Sequence, residues 1–145
     1  MRGLIQRVSC AAVNIDDQCH ARIEQGILLL LGIEAADSFE QSEKLISKVL
    51  NYRIFADAQG RMNRSLKDIN GELLVVSQFT LVADTKKGLR PGFSKAATPE
   101  VAESCYEDFL VRLKAQYSQV ASGVFAADMQ ISLCNDGPVT FLLET

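Results

Sequence analysis

An unbroken apolar run, Leu-Leu-Val-Val at residues 73–76, follows the turn signal Asn70-Gly71. A short unbroken apolar run after a turn predicts a strand that is buried on both faces. The sequence becomes polar at Ser77, Gln78 and Thr80, so we expect hydroxyl and amide groups at the rim of the core. The alternative is that these side chains only satisfy backbone groups where the strand ends.

Alternating apolar and polar positions predict further strands over residues 2–15, 19–23, 27–31, 52–55, 129–133 and 139–143. A hairpin turn is expected at residues 16–17, and residues 135–138 are expected to reverse the chain between the last two strands. Residues 61–67 are basic and predicted to be irregular.

Two helices are predicted from apolar residues that recur at helical spacing. Ser38 and Gln41 form a capping-box pattern before a helix over residues 39–50. Thr98 is the expected N-cap of a second helix, with Pro99 at its first position. We therefore expect one α+β domain over residues 1–145, with mostly antiparallel strands in two barrel-like layers and two helices packed on one face.

Composition is that of a globular protein, with 145 residues, 48% apolar and 23% charged. The longest apolar run, residues 27–31, is too short to span a bilayer, and no signal-peptide pattern precedes it. These observations predict a cytoplasmic protein. The four cysteines form no C-x-x-C pair, so neither a zinc site nor a redox pair is expected.

A single histidine, His20, restricts the chemistry. It is adjacent to Cys19 in a predicted strand, and adjacent strand residues point to opposite faces, which makes them a poor nucleophile and base pair. If the protein is an enzyme, we expect it to work without histidine.

Positive charge is concentrated in one part of an acidic chain. Residues 53–95 carry eight basic and four acidic side chains, a net charge of +4, whereas the whole chain is −3 and the remainder is therefore −7. Basic loops on both sides of the strand at 73–76 suit a polyanionic substrate. The alternative is a solvated surface on which the charges are distributed by chance.

Two separated motifs carry a resemblance to a known family. They are Ser77-Gln78-Phe79-Thr80-Leu81 and Asn135-Asp136-Gly137-Pro138-Val139-Thr140. With them, the chain closely resembles the D-aminoacyl-tRNA deacylase family, first described as D-tyrosyl-tRNA deacylase. The likeness extends over the whole length and includes Tyr52-Arg53-Ile54-Phe55, Gly88-Leu89-Arg90-Pro91 and Phe125-Ala126-Ala127-Asp128-Met129. Gly92 is a departure, since many members have serine there.

The resemblance implies a homodimer with active sites at the subunit interface, acting without a metal or organic cofactor. The implied reaction is hydrolysis of the ester between a D-amino acid and the 3′-terminal adenosine of tRNA, with mischarged glycyl-tRNA as a further substrate. This would make the protein a proofreading enzyme of translation.

The resemblance also implies roles for individual residues. Gly137-Pro138 would be a cis peptide that selects chirality in the partner's pocket, although an X-Pro bond is cis only about 5–6% of the time. Arg7 would support that turn, and Phe125 and Met129 would stack on the terminal adenine. The basic loops would contact tRNA through Lys86, Lys87, Arg90 and Lys95.

Catalysis is expected at Ser77, Gln78, Phe79 and Thr80, by one of two routes. Thr80 is a conceivable nucleophile, but no histidine is near it to activate it. In the favoured route the ribose 2′-hydroxyl of the substrate positions water, while backbone N–H groups near Phe79 and Thr80 hold the oxyanion together with the Ser77 and Gln78 side chains. Three other classes remain: a non-catalytic tRNA-binding module, a hydrolase of small nucleotide esters, and a purely structural dimer.

Overall fold

The computed structural model describes residues 1–86 and 88–145. Its strands are β1 (Arg2–Ile15), β2 (Gln18–Ile23), β3 (Gly26–Gly32), β4 (Phe55–Ala56), β5 (Met62–Arg64), β6 (Glu72–Ser77), β7 (Val120–Ser122) and β8 (Gln130–Glu144). Its helices are α1 (Phe39–Asn51), the one-turn α2 (Leu66–Ile69) and α3 (Pro99–Gln116), and a 3-10 turn spans Phe79–Val82. Within the described residues, no helix is long and apolar enough to cross a membrane.

The main sheet is built on β1 and has the order β2-β1-β3-β6-β7, with β8 on the other side of β1. Strands β2, β3 and β8 all pair with β1 in antiparallel fashion. Strands β3 and β6, and then β6 and β7, are parallel. The sheet is barrel-like and nearly closed, which confirms the predicted α+β class of mostly antiparallel strands.

Both long helices pack on the same face of the sheet. Leu45 and Ile46 of α1 and Tyr106 and Phe109 of α3 belong to one buried cluster with residues of β1, β3 and β6. A second, smaller cluster around Val8, Val13 and Leu74 lies on the other face. Because β6 is covered on both faces, the side chains of residues 73–76 are at most 1% exposed, as the unbroken apolar run predicts.

Two predictions about residues 52–67 were wrong. The predicted strand over 52–55 contracts to β4, which pairs with β5 across a tight turn closed by the bond from Asp57 N to Arg61 O. The segment predicted to be irregular contains β5 and the start of α2. The side chains of Ser65 and Asp68 form a reciprocal capping box that starts this helix, so the Ser-x-x-Asp pattern was a signal in the sequence.

The predicted chain reversal at residues 135–138 was also wrong. β8 stays antiparallel to β1 from Gln130 to Glu144, with Asn135 paired to Val8 and Thr140 paired to Gln6. Residues 136–139 therefore bulge out opposite one residue of β1, Arg7. A 14-residue β1 is long enough to pair with both halves of β8, so the turn residues form a wide bulge and not a hairpin.

Candidate active site

A cavity of about 550 Å³ opens where β6 ends. Ser77, Gln78 and Phe79 form one wall, and the N-terminal turn of α3 forms another with Pro99 and Ala102. The small side chains Ala96, Ala97 and Ala102 leave this space open. The polar end of the buried strand therefore lies at the rim of the core, as the sequence predicts.

The backbone changes at Phe79 from strand to a 3-10 turn. Strand β6 therefore ends at Ser77, and the side chains of residues 77–80 do not alternate between the two faces of a strand. The turn instead lets the Gln78 amide donate a hydrogen bond to the Thr80 hydroxyl, with 2.6 Å between Nε2 and Oγ1. The first amides of such a turn have no intrahelical acceptor, so the N–H groups of Phe79 and Thr80 remain available.

Phe125 and Met129 lie on the loop that closes the cavity opposite β6. The Phe125 ring packs 6.0 Å from the ring of Tyr106 on α3, centroid to centroid. Met129 lies over Gly123, where a Cβ would be 2.6 Å from the methionine sulfur. Because Gly123 has no side chain, Met129 packs directly on its backbone, and Phe125 and Met129 both line the pocket.

Tyr106 attaches the same loop to the strand that carries the site. Its buried hydroxyl lies 3.1 Å from the carbonyl oxygen of Val75 and 3.3 Å from that of Gly123. Burial raises the pKa of Tyr106 far above its usual value. The hydroxyl therefore remains a proton donor at neutral pH and holds β6 and the loop together. Helical spacing of apolar residues predicts only that Tyr106 faces the core, so this contact of its hydroxyl was not predicted.

An aromatic pair at the rim joins the pocket to the basic loop. Phe79 is 61% exposed, and its ring lies 5.1 Å from that of Phe93. Lys86, Arg90 and Lys95 are exposed on this loop, and Lys87 lies outside the described residues. Phe93 was not among the predicted site residues.

The bulge at residues 136–139 is held by its neighbours on β1 and β8. Arg7 donates from Nε to the Asp136 carbonyl at 2.8 Å and from Nη1 to the Ile54 carbonyl at 2.6 Å. The Asn135 side chain crosses the neck of the bulge, accepting from Val139 N and donating to the Thr140 hydroxyl. The Gly137-Pro138 peptide is cis, and both residues are exposed.

The pocket and the bulge lie at different levels of the sheet, and of the described residues that line the pocket none belongs to the bulge. Across the sheet, Arg7 of β1 pairs with Ile27 of β3, which pairs with Leu73 of β6. Ser77 of β6 pairs with Leu31 of β3, which pairs with Gly3 of β1. Four strand positions separate the two levels, which is about 13 Å along the strands. Within one chain, the first motif lies together with Phe125 and Met129 at the pocket. Gly137 and Pro138 lie together with Arg7 at the bulge. These two sets of predicted site residues are not in contact within one chain.

No group of three or more His, Cys, Asp or Glu side chains converges in a metal-binding arrangement within residues 1–86 and 88–145.

Solved structures share this fold over nearly the whole chain. A solved structure titled "c-Myc DNA Unwinding Element Binding Protein" matches with a TM-score of 0.96 and 39% identity, over 100% of this chain and 99% of that one. A structure described as a probable eukaryotic D-amino acid tRNA deacylase shares the fold, with a TM-score of 0.86 and 16% identity, over 99% and 98% of the two chains.

Sequence comparison then identifies the family. The family model for D-Tyr-tRNA(Tyr) deacylase matches residues 4–144. The D-aminoacyl-tRNA deacylases of Cellvibrio japonicus and Pseudoalteromonas translucida are 58% and 60% identical, each over 99% of both chains. The chain belongs to the D-Tyr-tRNA(Tyr) deacylase family, and it is a hydrolase of the D-aminoacyl-tRNA deacylase class. The predicted family and enzyme class are confirmed.

Proposed function

We propose that this protein is a homodimer that hydrolyses D-aminoacyl-tRNA in a pocket completed by the Gly137-Pro138 bulge of the second subunit. The observation that carries the proposal is the separation of the two motifs. Of the described residues that line the pocket, none belongs to the bulge, which instead borders a separate cavity through Asp136. A twofold axis makes the exchange mutual, because each subunit then offers one pocket and one bulge.

The exposed edge of the sheet supports a dimer. β8 pairs with β1 on one side, and no strand of the described residues pairs with its other side. It carries the exposed apolar residues Leu133 and Leu142 on either side of the bulge. An unpaired edge strand of 15 residues is a ready template for association with a second chain.

Chirality is selected in this proposal by the backbone and not by side chains. The exposed carbonyls of the bulge accept hydrogen bonds from the α-ammonium of the substrate, and the bulge leaves no room for an L side chain. A D side chain points outward, so its identity matters little. Glycine has no side chain to be excluded, which makes glycyl-tRNA a second substrate.

Hydrolysis proceeds by attack of water on the ester carbonyl carbon. The bond from that carbon to the ribose oxygen breaks, one proton of the water passes to the departing ribose oxygen, and the other passes to solvent as the amino acid is released as a carboxylate. The N–H groups of Phe79 and Thr80, with the side chains of Ser77 and Gln78, stabilise the oxyanion. The Thr80 hydroxyl already accepts the Gln78 amide, which is a donor and not a base. This arrangement favours positioning of water by the 2′-hydroxyl over attack by Thr80.

The terminal adenosine occupies the other side of the pocket. Phe125 and Met129 present an aromatic face and a polarisable thioether there, both suited to stacking on a base. Lys86, Lys87, Arg90 and Lys95 contact the tRNA backbone, and we place the reaction in the cytoplasm, where charged tRNA is used.

The proposal is tested by measuring release of labelled tyrosine from D-Tyr-tRNA and L-Tyr-tRNA at equal enzyme and stated salt. Sedimentation at the same concentration reports the oligomeric state. We expect release from the D form alone, by a dimer. Equal release from both forms would contradict the chiral pocket, and an active monomer would contradict the shared site.

A further inference from the structure

The arginines of this chain fall into two groups. Those outside residues 53–95 each have a carboxylate within 4 Å: Arg2 with Glu34 and Glu144, Arg7 with Asp136, Arg22 with Glu24, and Arg112 with Asp108 and Glu43. Among residues 1–86 and 88–145, the ion pairs do not include Arg53, Arg61, Arg64 or Arg90. A guanidinium without a carboxylate keeps its positive charge available for an external anion, and within the described part of the chain Arg64 uses only Nη2, in a bond to the Asp68 carbonyl.

Two of these arginines lie beside the Gly137-Pro138 bulge. Arg64 lines a cavity of about 270 Å³ together with Arg7 and Asp136. Arg53 directly precedes Ile54, whose carbonyl accepts the hydrogen bond from Arg7 Nη1. Both Arg53 and Arg64 are exposed.

The single carboxylate of Asp68 offsets only one of these two positive charges. Asp68 accepts hydrogen bonds from the backbone N–H and the hydroxyl of Ser65, each at 2.8 Å, as part of the α2 cap. These two bonds lower the pKa of Asp68 most, and the charges of Arg64 and Arg53 lower it further. Two cations thus lie near one carboxylate that is already used in a helix cap, which leaves a net positive surface.

We propose that Arg53 and Arg64 form a contact surface for the phosphate backbone of tRNA, and that each subunit's surface serves the tRNA bound in the partner's pocket. The proposal rests on the proposed function, because it is the bulge of one subunit that lies at the pocket of the other. Arg64 shares a cavity with Asp136 of that bulge, and Arg53 precedes the residue whose carbonyl binds Arg7, so both are placed beside the partner's bound 3′ end. Arginine pairs with phosphate through two parallel hydrogen bonds, which suits an RNA backbone.

The first experiment compares two substrates and two charge reversals. The double variant Arg53→Glu/Arg64→Glu is measured on D-Tyr-tRNA and on 3′-D-tyrosyl-adenosine, which lacks the tRNA body. Arg22→Glu is the matched control, because Arg22 is an exposed arginine on β2 that pairs with Glu24. We expect KM for the tRNA to rise on the order of 10-fold, with kcat unchanged and a shallower salt dependence.

We expect the short substrate and the Arg22→Glu control to behave like the wild type. An equal loss on both substrates would overturn the proposal, since it would indicate damage to the pocket. So would an unchanged KM for the tRNA. A double Arg→Lys variant retains the charge, and we expect it to recover most of the lost affinity.

The second experiment decides which subunit the surface serves. Two differently tagged chains are co-expressed and the heterodimer is purified: one carries Gln78→Ala/Phe125→Ala in the pocket, and the other carries Arg53→Glu/Arg64→Glu. Only the second chain then has an intact pocket. If the arginines of each chain act on the pocket of its partner, the intact pocket of the second chain is served by the intact Arg53 and Arg64 of the first chain. The heterodimer then shows the wild-type KM with about half the wild-type kcat, because one of its two pockets is active.

A heterodimer with the raised KM of the charge-reversed homodimer would overturn the assignment to the partner's pocket. Failure of the proposed function gives a different result, because the wild-type enzyme would then be inactive on D-Tyr-tRNA or would sediment as an active monomer.

Discussion

Arg7 Nε lies 2.8 Å from the carbonyl oxygen of Asp136, so a strand arginine holds the bulge that carries Gly137 and Pro138. Its side chain is only 14% exposed, and a second bond from Nη1 reaches Ile54. The bulge is therefore fixed to β1 and to the segment before β4 at the same time.

Loss of Arg7 should cost both stability and activity. Each hydrogen bond from a charged donor contributes about 1.5–3 kcal/mol, so we expect Arg7→Ala to lower the free energy of unfolding by about 2–4 kcal/mol. Denaturant unfolding measures this change. Arg22→Ala is the control, because that exposed ion pair contributes less than about 1 kcal/mol. Equal losses in the two variants would contradict a supporting role for Arg7.

A methyl group on Gly137 should disturb the bulge more than one on another glycine. A Cβ at Gly137, where φ is +141°, would lie 2.6 Å from Val139 Cγ2 and 3.0 Å from Arg7 Nη2. Gly60 also has positive φ, +77°, but nothing lies within 4 Å of its Cβ position. We expect Gly60→Ala to cost about 1 kcal/mol and no activity. Gly137→Ala should reduce D-aminoacyl-tRNA hydrolysis on the order of 100-fold, as measured by initial rates.

The role of Thr80 is tested by removing its hydroxyl. If water attacks the ester, Thr80→Ala should retain hydrolysis within about 10-fold of the wild type, because only one positioning contact is lost. Gln78→Ala should lose more, about 10²–10³ in kcat, since it removes an oxyanion donor. Single-turnover rates of hydrolysis distinguish the effect of Thr80→Ala from that of Gln78→Ala. A Thr80→Ala enzyme that binds substrate but loses activity on the order of 10⁶-fold would identify Thr80 as the nucleophile.

Phe125→Ala should weaken recognition of the terminal adenosine. Stacking of a base on an aromatic ring contributes about 1–3 kcal/mol, so KM should rise roughly 5- to 150-fold. Calorimetric measurement of the Kd of an adenosine-ended analogue reports this loss of stacking directly. Val124→Ala, at an exposed neighbouring position, is the control. Normal binding of the analogue by the Phe125 variant would refute the stacking role.

Tyr106→Phe should change how stability depends on pH. The lost hydrogen bond costs about 1 kcal/mol at pH 7, or about 4 °C in Tm. Because burial raises the pKa of Tyr106 in the folded state, the folded protein holds this proton more tightly than the unfolded chain does. Wild-type stability should therefore fall as the pH rises above about 10, the value for an unfolded tyrosine. The variant lacks this contribution and should show a shallower fall; parallel curves would contradict the assignment.

Local sequence patterns determined most of the elements. The unbroken run at 73–76 predicts a strand with two covered faces, because only such a strand can be apolar at consecutive positions. Ser38 and Gln41 form the capping box that starts α1. Thr98 occupies the N-cap of α3, although its side chain makes no cap hydrogen bond. These features depend on contacts within a few residues, which a sequence displays directly.

Long-range pairing determined what the patterns could not show. Asn-Asp-Gly-Pro is typical of a chain reversal, yet at residues 135–138 it forms a bulge, because β1 offers a continuous partner on both sides of it. The 3-10 turn at Phe79 and the short strand β7 likewise depend on neighbouring backbone.

The sequence by itself determined the family, the α+β class and the residues of both motifs. Only the tertiary structure decided that the two motifs border separate cavities, because strand register places Arg7 level with Leu73 and four positions from Ser77. Register is a relation between distant segments, and no local pattern along the chain specifies it.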